Sequence, residues 1–211
     1  MKRFLPLMLD LSGKEVVIFG GGEVSERKAS LFCDYASVKL ISRDFTPLLH
    51  QLSEEGKIQL IKVKDLNEIR ISNYLETAFI VIPATNNEVL NEKISALAKQ
   101  NGKLVNRVDN IGDIIVPSVI KHGDIVIGIS TLGKSPAVSK YIRKKLERVI
   151  TIDLERMSCL QNELREMLKS RVRDQKKRKE ILWNIINDDD IWHVINESYE
   201  KAYKLALRHI R

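Results

Sequence analysis

The stretch EVVIFGGGEVSERKA, Glu15–Ala29, limits the possible folds of this chain more than any other. Four apolar residues, Val16–Phe19, read as a short strand. Three consecutive glycines follow, Gly20–Gly22, and from about Val24 to Tyr35 the apolar positions keep helical spacing. A strand, then G-x-G-x-x-small, then a helix is the order of a dinucleotide-binding turn, with Gly20, Gly22 and Ser25 at the three defining positions. The first glycine permits a tight turn. The second lets a pyrophosphate approach the backbone, and the third position needs a small residue so that helix and strand pack closely. The helix start offers free N–H groups and a partial positive charge, which places Glu23 and Val24 beside the same phosphates. The plain alternative is a glycine-rich turn that binds nothing.

The rest of the first half supports a parallel sheet. Ser37–Ser42 is a second strand, and the acidic residue that meets the ribose hydroxyls is expected about twenty positions past the glycines. Asp44 in SRDF lies near that place, with Ser42 and Arg43 beside it; Arg43 would suit a 2′-phosphate. NAD is the first expectation, and NADP stays open. Leu48–Glu55 reads as helix, Ile58–Val63 as strand, and Ala78–Ala84 as a strand buried on both faces. Pro83-Ala84-Thr85-Asn86 leads out of that strand, and Ala84 and Thr85 are candidates to line a nicotinamide ribose; an ordinary loop with Thr85 or Asn86 as helix cap is the alternative. Asn87–Gln100 is a helix with Leu90, Ile94, Leu97 and Ala98 on one side, stopped by Gly102, and Leu104–Val108 is a strand. Strand and helix alternate, so residues 1–112 are expected to form an α/β, Rossmann-type parallel sheet.

After Asp113 the pattern changes. Ile114–Ile120 and Asp124–Ser130 are β-like, joined at Lys121-His122-Gly123, which reads as a turn. Ser135-Pro136 opens a helix as N-cap and first helical residue. No glycine or proline follows Pro136, and no strand pattern appears. Residues 113–150 are therefore expected to be a small β-containing segment, and 151–211 a helical C-terminal domain.

Composition narrows the class. The chain has 211 residues, 44% hydrophobic and 30% charged, with no apolar run approaching a membrane span. Its start, MKRFLPLMLDLSGKE, resembles a signal peptide, but Asp10 breaks the apolar run and no small-residue cleavage site follows. The two cysteines, Cys33 and Cys159, are far apart, which fits a reducing cytoplasm and neither a disulfide scaffold nor a metal site. The net charge of +7 suggests an anionic partner.

Five blocks occur in order: GGGEVSERKA (Gly20–Ala29), IPATNNEVLN (Ile82–Asn91), VNRVDN (Val105–Asn110), IIVPSVI (Ile114–Ile120) and ISTLGKSPAVSKYIRKKLE (Ile129–Glu147). Together they resemble precorrin-2 dehydrogenase, the dehydrogenase–ferrochelatase part of siroheme synthases, strongly over residues 4–150 and loosely beyond. The chain is similar to the free-standing form, without the methyltransferase domain of the fused enzymes. The resemblance implies oxidation of precorrin-2 to sirohydrochlorin with NAD as hydride acceptor, and a homodimer joined through residues 113–150. Some members also insert iron into the product.

That reaction removes a hydride and a proton, and a carboxylate suits the proton. Asp109 falls on the family's acid in VNRVDN, at the sheet edge where ligands bind. Its alternative role is turn chemistry, since Asp-Asn after a strand is common in turns. His122 is the histidine nearest these blocks and a second catalytic candidate, although one in a Lys-His-Gly turn is more often merely exposed. Asn106, Ser130, Thr131, Lys134 and Ser135 are the substrate-binding candidates, because hydroxyls and a helix N-terminus suit the carboxylates of a tetrapyrrole. The family often has glycine where Leu132 stands, which leaves the loop shape open. No metal-ligand cluster is legible.

Lys169–Lys179, KSRVRDQKKRK, holds seven basic residues against one acid. A solvated helix face, nucleic acid, and steering of an anionic substrate are the three readings. No nucleic-acid motif or aromatic interleaving accompanies the run, so neither nucleic acid nor a membrane is expected as partner. The competing functional class is an NAD(H)-sensing regulatory module with a basic helical tail, which would bind nucleotide without turnover. A chelatase without redox work is a further alternative, which the glycine fingerprint disfavours.

Overall fold

The computed structural model describes residues 3–65, 67–108 and 112–210, and the chain divides into two compact units, Met1–Val116 and Pro117–Arg211. The first unit runs β1 (Glu15–Phe19), α1 (Glu23–Phe32), β2 (Ser37–Ser42), α2 (Pro47–Glu54), β3 (Gln59–Lys62), α3 (Glu68–Leu75), β4 (Ala78–Pro83), α4 (Glu88–Gln100), β5 (Leu104–Val105). Every strand pairing is parallel, in the order β3-β2-β1-β4-β5. This is the mononucleotide-binding half of a Rossmann fold, whose order reverses beside β1.

The two central strands explain the apolar runs. Val16, Ile18, Ile80 and Ile82 face one side and pack with Ala29, Leu40 and Leu49. Val17, Phe19 and Val81 face the other and pack with Ile71, Leu75, Ile94 and Ala98. A strand covered on both faces has no polar positions to alternate.

Several expected boundaries move. Helix α3 was not foreseen; Asn67 caps it by accepting from the Arg70 N–H at 3.0 Å. Strand β5 pairs over only two residues rather than reaching Val108. Asn87, not Thr85 or Asn86, caps α4.

The second unit holds the antiparallel pair β6 (Ser118–His122) and β7 (Ile125–Ile129), then α5 (Pro136–Leu146), α6 (Ile152–Arg171), α7 (Gln175–Ile186), α8 (Asp189–Ile195), α9 (Tyr199–Ala206) and a short 3-10 helix, Leu207–Ile210. Lys121 and His122 belong to β6, not to the turn: His122 pairs with Ile125, and Gly123-Asp124 forms a two-residue loop with Gly123 at φ +54°. A glycine at positive φ in the first loop position is the geometry of a type II′ hairpin. The strand starts at Ser118 because Pro117 has no N–H to donate. Helices α6–α9 close around Met157, Leu160, Leu164, Leu168, Ile185 and Ile191. No helix among the described residues is long and apolar enough to cross a membrane.

Candidate active site

The glycine turn is three residues with three different reasons to lack a side chain. Gly20 sits at φ +132°, and a Cβ there would collide with the Ala84 carbonyl. A Cβ on Gly21 would strike the Asp44 carbonyl oxygen. Gly22 is different: a Cβ there meets nothing within 4 Å. Its φ of −90° is open to any residue. The fold therefore needs bare backbone at Gly20 and Gly21 and does not need it at Gly22. Gly22 is also the N-cap of α1, and no side chain caps that helix, which leaves its first N–H groups for an anion. Ser25 is fully buried beneath the turn, its hydroxyl without a hydrogen-bond partner.

Backbone bonds clamp this turn to both neighbouring strands. The Gly20 N–H donates to Ile41 O (2.9 Å), and the Ala84 N–H to Phe19 O (2.8 Å). The Thr46 N–H donates to Gly21 O at 3.1 Å, while its hydroxyl donates to the Glu26 carboxylate. Thr46 also caps α2, so the loop after β2 is fixed to the first helix.

A cleft of about 620 Å³ opens above the carboxyl ends of β1, β2 and β4. Gly20, Gly21 and Gly22 form its floor, Ser42, Arg43 and Asp44 one wall, and Ala84 and Thr85 the other. Seven of the nine candidate cofactor residues thus share one cavity, and Glu23 and Val24 follow directly in the first turn of α1. Asp44 is exposed at the rim, 3.2 Å from Lys62 Nζ. A carboxylate at that rim suits the vicinal hydroxyls of a ribose, which donate to it.

Sequence reasoning missed two residues that shape this site. Gly21 is one. Asn91 is the other: it is only 4% exposed, and its side chain holds the loop after β4. Asn91 Oδ1 accepts from the Thr85 N–H (3.0 Å) and hydroxyl (2.7 Å), and its Nδ2 donates to Thr85 O (2.9 Å). An asparagine on the inward face of α4, in register with Ile94 and Ala98, is the signal that was available.

A family model described as "Putative NAD(P)-binding" matches residues 7–118. A curated relative from Methanosarcina barkeri, "Precorrin-2 dehydrogenase", is 49% identical over 96% of this chain and 92% of its own length. The chain belongs to the precorrin-2 dehydrogenase family. A "Siroheme synthase" from Photorhabdus laumondii is 29% identical over 95% of this chain, but the match spans only 42% of that longer protein. A solved structure titled "SirC, precorrin-2 dehydrogenase" superposes with a TM-score of 0.74 over 97% of this chain and 100% of its own, at 23% identity, and so shares the fold.

The remaining residues implied by the precorrin-2 dehydrogenase family are placed as follows. Asp109 lies outside the described residues. Among the described residues on either side, the Asp113 and Ile114 N–H groups both donate to Val105 O (2.9 and 3.3 Å). Asn106 is buried, donating through its backbone N–H to Val81 O and through Nδ2 to Ile114 O (3.0 and 3.1 Å), with Oδ1 unpartnered. Ser130, Thr131, Lys134 and Ser135 form one loop of the second unit. Ser135 caps α5, its hydroxyl accepting from the Val138 N–H, while Thr131 bridges Ser135 and Ser139. Leu132 in that loop holds φ +53°, a left-handed conformation that a glycine adopts more easily. His122 ends β6, half-buried. Among the described residues, no three His, Cys, Asp or Glu side chains gather as a metal site.

Proposed function

We infer that this chain is an NAD-dependent precorrin-2 dehydrogenase that oxidises precorrin-2 to sirohydrochlorin in siroheme biosynthesis. One observation carries it: near-complete coverage of a curated precorrin-2 dehydrogenase at 49% identity, on a chain whose dinucleotide cleft is intact. The cleft fits the cofactor independently of that likeness, because Gly22 is bare where the fold leaves room for a side chain.

The two-electron balance is a hydride lost to the oxidant and a proton lost to a base. NAD bound in the cleft supplies the hydride acceptor. The chain's own contribution is positioning. The N–H groups at the start of α1 hold the pyrophosphate, Asp44 takes the adenine-side ribose hydroxyls, and Ala84 and Thr85, stiffened by Asn91, keep the far wall close. We assign the proton to Asp109, on the family motif that it occupies, with His122 as a second proton carrier. Ser130, Thr131, Lys134 and Ser135 are assigned to substrate carboxylates, and Asn106, whose buried Oδ1 has no partner, to the substrate as well. The expectation of a homodimer is supported by α5, which buries none of its residues, and by the exposed side chains of Tyr141, Ile142, Val149 and Val126 around it. A two-stranded ribbon is marginal without further packing, which a second copy would supply. Residues 113–150 are accordingly proposed as the dimerisation segment.

The test is anaerobic precorrin-2 with the purified chain and NAD, followed by absorbance, beside Asp109→Ala. A sirohydrochlorin spectrum that requires NAD is expected. The variant should retain NAD binding and lose about a hundredfold or more in rate. Tight nucleotide binding with no spectral change would replace the dehydrogenase by a nucleotide sensor.

A further inference from the structure

The basic run around Lys169–Lys179 is not a uniform helix face. It folds back on itself, and α6 and α7 enclose a groove of about 510 Å³ within the second unit. The groove presents four cations, Arg165, Lys169, Arg178 and Lys179, among the uncharged polar side chains of Gln161 and Asn162. Its walls are held by internal bonds. Gln161 Nε2 donates to Leu182 O at 3.1 Å, joining the two helices. The Arg178 guanidinium donates to Val172 O (2.7 Å) and Arg173 O (3.0 Å), fixing the turn between them.

The cations are unequally committed. Lys169 pairs with Glu166, an exposed i,i+3 contact that is cheap to exchange. No described carboxylate lies within ion-pair distance of Arg165 or Lys179. Four positive groups around one small cavity repel one another unless something anionic enters. On α7, one turn beyond Lys179, Trp183 is 68% exposed. Guanidinium and ammonium groups bind carboxylates, and an exposed indole offers a flat face for stacking. The four cations converge on one groove instead of running as a track, which favours a compact polycarboxylate over a nucleic acid backbone.

We propose that the α6–α7 groove is a second docking site for a flat, polycarboxylate tetrapyrrole, the class to which the conjugated product of the dehydrogenation belongs. It rests on the dehydrogenase reading for the identity of that ligand, but not for the chemistry of the groove. The probe is uroporphyrin I, a stable conjugated octacarboxylate, titrated into the full chain. Three results are expected. Indole fluorescence is quenched in a saturable manner as the probe binds. Affinity falls about tenfold in the double variant Arg165→Gln, Lys179→Gln. Affinity also declines as salt rises. Both replaced side chains are on the surface, and circular dichroism checks the fold of each variant.

Precorrin-2 turnover is measured in parallel. Turnover with uroporphyrin binding unchanged by the double variant overturns the groove while leaving the dehydrogenase intact. Groove-dependent binding without turnover does the reverse. Displacement of uroporphyrin by a single-stranded oligonucleotide at lower concentration would assign the groove to nucleic acid and overturn the proposal.

Discussion

At the residue scale the glycine turn separates folding from binding. Gly21→Ala forces a methyl group into the Asp44 carbonyl, which is backbone and cannot swing aside. It should cost about 1–3 kcal/mol of stability, measured by denaturant unfolding. Gly22→Ala meets open space at an unstrained φ, so its stability should stay within about 0.5 kcal/mol of the parent. Its NAD affinity should nonetheless fall about tenfold or more, because the methyl group occupies the approach of the pyrophosphate. Equal NAD affinity in Gly22→Ala and the parent would remove the phosphates from that spot. Gly20 and Gly22 were legible because their spacing is a local pattern. Gly21 was not, because the atom that excludes a side chain there belongs to the next strand's exit loop.

Elements were legible where burial imposed a pattern and illegible where a contact decided the boundary. β1, β2 and β4 show as apolar runs because the sheet is covered on both sides. The hairpin register was hidden, since it follows from Pro117 and the positive φ of Gly123. The breaks between α6, α7, α8 and α9 lacked glycine or proline and are set by the caps Asp174, Asp188 and Ser198. Asn91 is the case where an element carries a loop. Asn91→Ala removes the partner of the Thr85 N–H and carbonyl and one of the partners of its hydroxyl, at a cost of about 1–3 kcal/mol, and NAD affinity should weaken with it. A variant that unfolds like the parent would show that the loop is held by other means. The cap at Asp188 has a pH signature. Its carboxyl is held below the usual carboxylate range, first by the hydrogen bond from His209 (2.7 Å). A depressed acid contributes stability above its unfolded value and loses it as pH falls through the folded one. His209→Ala should therefore be about 1 kcal/mol or less below the parent at mildly acidic pH, converging with it as the pH falls through the lowered Asp188 carboxyl. Thermal melts across that range test the sign.

Over the whole molecule, two units each carry a core, and every residue lining the dinucleotide cleft belongs to the first. Hydrogen exchange on the full chain should therefore show NAD protecting the start of α1 and the ends of β2 and β4, with the amides of α6–α9 unchanged. Equal protection in those helices would place part of the cofactor's effect beyond the first unit. The parallel sheet was legible at this scale because alternating strands and helices leave few topologies. The α6–α9 bundle was legible only as helix, since which faces meet depends on side chains far apart in sequence, such as Gln161 and Leu182. The open space at Gly22 also has a meaning across generations. A lineage released from this reaction would still be obliged to keep Gly20 and Gly21, while Gly22 would be free to drift. The identity of that one position in a descendant would then record whether selection still acts on nucleotide binding or on the fold alone.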